Sequence, residues 1–139
     1  MKKFASIIIA VLIVVLCFTL TACGTKYKSN CSSTAMVETK DSNSATVSFG
    51  TFSGRYVIKF NDTIKESTVI TYNATLEEGS IKVYYDFGDE KLSLFEIGTD
   101  GSVEGKSEAF ARNKTVYIII ESDGKCNECS FSFALKKAE

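Results

Sequence analysis

The chain has 139 residues, 16 of them basic and 17 acidic, and it contains no histidine, proline or tryptophan. Without histidine it lacks the commonest general base, the usual metal ligand and every Ser-His-Asp or Cys-His arrangement, which excludes most familiar hydrolase mechanisms. The near-neutral, slightly acidic balance excludes nucleic acid as a partner, and the missing tryptophans weaken a stacking platform for sugars.

Met1-Lys2-Lys3 is a positive start, and Phe4 to Leu20 is apolar apart from Ser6 and Thr19, the layout of a secretory signal. The plainer alternative is an uncleaved membrane helix, but about seventeen residues is the lower edge of a bilayer span and no basic stop-transfer cluster follows. Leu20-Thr21-Ala22-Cys23 closes the apolar run and resembles the lipobox of bacterial lipoproteins. That resemblance implies cleavage after residue 22 and acylation of Cys23. Cys17 competes, yet Leu16 before it is too large for a small-residue cleavage position. Each buried methylene adds about 0.8 kcal/mol, so two acyl chains suffice for stable anchoring where one does not. The expectation is a lipid anchor in the cell membrane with the domain on its extracytoplasmic face.

Residues 23–44 are rich in Ser, Thr, Lys and Asn, with Ala35, Met36 and Val37 the one apolar interruption, and read as a flexible tether. About twenty such residues span roughly 25 Å. Residues 45–139 then read as one domain. There the apolar pattern has period two, the signature of strands. Val47 and Phe49 alternate, followed by Tyr56, Ile58 and Phe60; Thr68 to Leu76; and Ile81, Val83, Tyr85 and Phe87. Leu92 to Ile97, Val103 to Phe110, Val116 to Ile120 and Cys129 to Leu135 continue the series, giving about eight strands. Turn signals stand at Glu78-Gly79, Gly88-Asp89, Asp100-Gly101, Arg112-Asn113 and Asp123-Gly124. Short antiparallel strands at this spacing predict an all-β antiparallel sandwich.

The stretches Gly79-Ser80-Ile81-Lys82-Val83-Tyr84-Tyr85-Asp86, Val116-Tyr117-Ile118-Ile119-Ile120-Glu121 and Ser130-Phe131-Ser132-Phe133 resemble small uncharacterised lipoproteins of Gram-positive Firmicutes. More loosely, the layout is similar to the jelly-roll modules of CUB-like and pre-peptidase C-terminal domains. The resemblance implies a jelly-roll-like fold and no activity.

Cys126-Asn127-Glu128-Cys129 places two thiols three residues apart, in what reads as the loop between the two final strands. A structural disulfide between Cys126 and Cys129 is the favoured reading for an exported chain; a bridge from Cys31 to either one is the alternative. Thiol-disulfide catalysis needs a helix N-terminus to lower a thiol pKa, and strands flank this motif. Zinc lacks a fourth ligand beyond those three cysteines unless Glu128 supplies it. Asp86, Asp89 and Glu90 cluster round Gly88 as weak calcium candidates, the bland reading being a solvated hairpin tip. Glu104, Glu108 and Glu121 suit a glycosidase pair only if two of them face each other. Tyr84 and Tyr117 have the outward parity of their strands and form the candidate binding surface.

The function expected from the sequence is a non-enzymatic, anchored binding or structural module without cofactor, taking a protein or glycan ligand. The alternatives are an envelope thiol-disulfide oxidoreductase and an inhibitor or accessory subunit of an envelope complex.

Overall fold

The computed structural model describes residues 27–61, 67–88, 90–111 and 115–138. The signal segment, Cys23, Asp89 and the Arg112-Asn113 turn lie outside the described residues. Nine strands follow in order: β1 (Asn30–Thr34), β2 (Val37–Lys40), β3 (Ser44–Phe60), β4 (Ser67–Glu78), β5 (Ser80–Asp86), β6 (Leu92–Gly98), β7 (Gly101–Lys106), β8 (Phe110–Ala111) and β9 (Val116–Lys137). All pairings are antiparallel.

The framework is the pairing of β3 with β9, which runs from Ser44 opposite Ala134 to Phe60 opposite Val116. Each of these strands serves two layers. The first half of β3 and the second half of β9 carry β2 on one side and β4, then β7 and β8, on the other. The second half of β3 and the first half of β9 carry β5 and β6. Between the halves the register shifts at Phe52/Gly54, a bulge that bends the sheet and lets one half fold over the other. The layers meet through rings: Tyr72 of β4 stacks on Phe95 of β6 at 4.5 Å between centroids, and Tyr85 of β5 meets Phe110 of β8 at 5.9 Å.

Period two decides which side chains meet. Val47, Phe49, Tyr56, Ile58 and Phe60 of β3, Ile70, Ala74 and Leu76 of β4, and Ile81, Val83 and Tyr85 of β5 all lie in the buried core. These are the positions expected from alternation, and the all-β antiparallel sandwich stands. Fully burying such side chains is worth about 1.5–3 kcal/mol each, which is what holds the two layers together.

Three expectations change. The first concerns residues 23–44: Asn30–Thr34 and Val37–Lys40 are strands on β3, not tether. Their Ser and Thr side chains tolerate a half-solvated edge, while pairing satisfies the β3 backbone groups that would otherwise be open to another chain. Secondly, Asp123-Gly124 is no hairpin turn, and the two expected final strands are halves of β9. The third is the Val47–Phe60 region, read as two strands and found as one, because the Phe52/Gly54 break is a bulge.

Gly54 sits at that bulge with φ +104°, and a Cβ there would lie 2.4 Å from the Asn30 carbonyl oxygen and 3.0 Å from Cys31 Cα. Both the backbone conformation and the space exclude a side chain. Gly54→Ala is therefore expected to cost about 2–3 kcal/mol in a urea titration and to detach β1; a loss near zero would mean that the bend tolerates a side chain.

Candidate binding face

Tyr84 and Tyr117 do share one outer face, that of the second layer. Tyr117 stands opposite Asp86 and Lys59, and Tyr84 stands opposite Ile119. Neither is an open platform. Tyr117 is buried beneath Tyr27, which meets it edge to face at 5.2 Å. Tyr84 is half-buried under Lys91, whose Nζ lies 4.2 Å from the ring centroid, a cation–π contact.

Asp86 has a structural partner set. Its carboxylate is 1% exposed; Oδ2 accepts a hydrogen bond from the Tyr27 hydroxyl at 2.7 Å and Oδ1 one from the Gly88 amide at 2.9 Å. Of the other calcium candidates, Glu90 is exposed and Asp89 lies outside the described residues. Among the described residues no three carboxylate or thiol groups gather as a metal site.

Cys126 and Cys129 lie within β9, not in a loop, and they and Cys31 of β1 are free thiols. Cys126 is buried under the β4–β5 turn, its Sγ 3.2 Å from Ser122 Oγ. Gly79 in that turn leaves room for the thiol, since a Cβ there would come within 2.5 Å of the sulfur. Burial, with smaller contributions from Cys126 and Glu128, pushes the Cys129 thiol up to about 12. A redox nucleophile needs the opposite shift. The carboxylates are no better placed for catalysis: Glu104 faces out from the first layer, while Glu121 faces out from the second and is bound by Arg55 at 2.6 Å and Lys91 at 3.0 Å.

The feature missed in the sequence is the outer face of the first layer. Register aligns Thr46, Ser132, Asn73 and Glu104 in one row across β3, β9, β4 and β7. Ser48, Ser130, Thr75 and Ser102 form the adjacent row. Strand spacing sets these groups about 4.8 Å apart across the sheet and about 6.8 Å apart along it. Two shallow grooves lie side by side over the rows. One, of about 520 Å³, is lined by Ser48, Thr75, Ser130, Glu77, Asp100 and Glu128. The other, of about 430 Å³, is lined by Asn73, Ser132, Glu104, Lys106 and Lys136. Beside the first groove, the β1–β2 turn and the start of β2 expose Met36 (41%) and Val37 (64%), the exposed large hydrophobic side chains among the described residues. The signal was present as the polar parity of the strands: Thr71, Asn73 and Thr75 in β4, and Ser130 and Ser132 in β9.

Two measurements check this picture. In native protein at pH 8, a thiol reagent is expected to label Cys31, with Cys126 and Cys129 reacting only on unfolding; a native Cys126–Cys129 bridge or prompt labelling of Cys129 would contradict it. Burial opposes ionisation of Glu121, but hydrogen bonds and charge from Lys91 and Arg55 outweigh it and hold the carboxyl below its ordinary 4.5. Its folded value lies below its unfolded one, so its stabilisation is complete above pH 4.5 and fades as the pH falls through the folded value. Glu121→Gln is expected to cost about 1 kcal/mol at pH 7, with the gap from the parent closing in acid; a gap independent of pH would remove the ion pair as its cause.

No family model and no curated protein sequence matches the chain. Among solved structures, TmCBM61 in complex with β-1,4-galactotriose is similar with a TM-score of 0.51 and 17% identity over 78% of this chain and 88% of that one. CsCBM6-3 from Clostridium stercorarium, in complex with cellobiose, gives 0.47 and 11% over 81% and 89%. PliG of Aeromonas hydrophila, a periplasmic inhibitor of g-type lysozyme, gives 0.43 and 14% over 68% and 87%. The first of these likenesses establishes a shared jelly-roll-like fold and nothing about ligand.

Proposed function

We propose that the chain is a non-catalytic binding module, held on the extracytoplasmic face of the cell membrane through acylated Cys23, whose first-layer outer face takes an extended, uncharged glycan. The observation that carries this reading is the grid of hydroxyl and amide groups under two adjoining grooves. Ser and Thr hydroxyls both donate and accept, and Asn73 does the same through its two amide atoms, so together they match a polyol whichever way its own hydroxyls turn. Met36 and Val37 supply the apolar contact that the C–H faces of a sugar ring require. Glu77, Asp100 and Glu128 round the first groove repel polyanions. TmCBM61, which shares the fold, was solved in complex with β-1,4-galactotriose, a ligand of the class proposed here.

The test is a calorimetric titration with neutral cell-wall and plant oligosaccharides. At about 1 kcal/mol per net hydrogen bond, the double variant Thr75→Ala, Ser130→Ala is expected to bind roughly thirty-fold more weakly at unchanged melting temperature. Ser93→Ala, on the other face, is expected to bind as the parent does. Absence of glycan binding together with a stoichiometric protein partner would replace this reading by that of an inhibitor or accessory subunit.

A further inference from the structure

The structure gives the domain a short leash where the sequence suggested a long one. The described residues begin at Tyr27, which lies against Tyr117 and donates to Asp86 on the outer face of the second layer. Behind it, Ser29 accepts a hydrogen bond from the Val57 amide at 2.9 Å, tying the segment to the edge of β3. Only Gly24 to Lys26 separate Tyr27 from Cys23. Whatever their conformation, covalent geometry limits the Cα span from Cys23 to Tyr27 to about 14 Å.

The face beside that exit carries cations from two strands of its layer and from the segments next to them. Arg55 and Lys59 come from β3 and Lys82 from β5, with Lys28 on the leash itself and Lys91 before β6. Register places Arg55 and Lys82 opposite Glu121, and Lys59 opposite Tyr117, so all of them project outward. The acids on this side are Glu96, Glu121, Asp123 and the buried Asp86; Glu121 pairs with Arg55 and Lys91, Glu96 with Lys82 at 3.9 Å, and Asp86 accepts from Tyr27. The first-layer grooves are lined instead by four acids, Glu77, Asp100, Glu104 and Glu128, against two cations, Lys106 and Lys136.

We infer that the outer face of the second layer lies against the anionic lipid headgroups of the bilayer that holds Cys23, turning the grooved face outward. This rests on the acylation proposed above. Each Lys or Arg close to such a surface is worth about 1 kcal/mol, a contribution that salt screens. With packed layers about 10 Å apart, the opposite face stands clear of the headgroups.

The chain contains no tryptophan, so one introduced indole reports alone. The processed, acylated chain, as Ser93→Trp on the second layer or Ser102→Trp on the first, is reconstituted in phosphatidylcholine–phosphatidylglycerol vesicles carrying a headgroup nitroxide. Ser93→Trp is expected to lose most of its fluorescence and Ser102→Trp none. Adding Lys28→Glu, Lys59→Glu and Lys82→Glu is expected to abolish the difference. Equal quenching at both positions in vesicle-bound protein, or quenching that survives the charge reversals, overturns the orientation while leaving the anchor intact. Protein that carries no acyl chain by intact mass and does not float with the vesicles overturns the anchor and this inference together.

Discussion

Everything in this fold depends on two long strands pairing along their whole length and bending together. β3 and β9 are common to both layers, so the sandwich is one continuous sheet folded on itself. The bend is made where the backbone can take it, at the Phe52/Gly54 bulge in β3 and opposite it between Ser122 and Cys126 of β9. Once the two strands are in register, alternation does the rest. Phe49, Ile58, Ile118, Phe131 and Phe133 turn inward, and the intervening Thr, Ser and Lys turn outward.

The two outer faces differ because their strands carry different polar residues. The first layer is faced mainly by hydroxyls and one amide, with Glu104, Lys106 and Lys136 at one end, the second by lysines and an arginine above partly covered tyrosines. Short polar side chains keep the first face low and grooved. On the second, Tyr27 and Lys91 fill the space above Tyr117 and Tyr84. One strand pair thereby separates the grooved surface proposed for the ligand from the surface proposed to face the membrane.

The core was legible in the sequence because period two holds in most of the strands between Val47 and Leu135. The joins were not legible. Gly50 to Gly54 and Asp123-Gly124 have turn composition, and composition does not distinguish a hairpin from a bulge or bend inside a continuing strand. The N-terminal edge was hidden for a related reason: an edge strand such as Ser32-Ser33-Thr34 needs few apolar residues, so it looks like linker. One clue existed. Val116 to Ile120 is apolar at every position, which implies cover on both sides of the strand, and Tyr27, in the stretch read as tether, lies over Tyr117 on the outer side. For the site, reading outward tyrosines identified a real face but missed that other parts of the chain occupy it. The grooved face carries no aromatic signal and emerges only when β3, β9, β4 and β7 are set in register.

The most direct test of this arrangement is amide hydrogen exchange followed residue by residue. If one bent strand pair joins the layers and the N-terminal strands complete them, amides in both halves of β9, from Ile118 to Ile120 and from Phe131 to Phe133, exchange slowly with a common free energy of opening, and hydrogen-bonded amides of β1 are protected as well. Two separate opening energies for the halves of β9, or free exchange throughout Asn30 to Thr34, would contradict it.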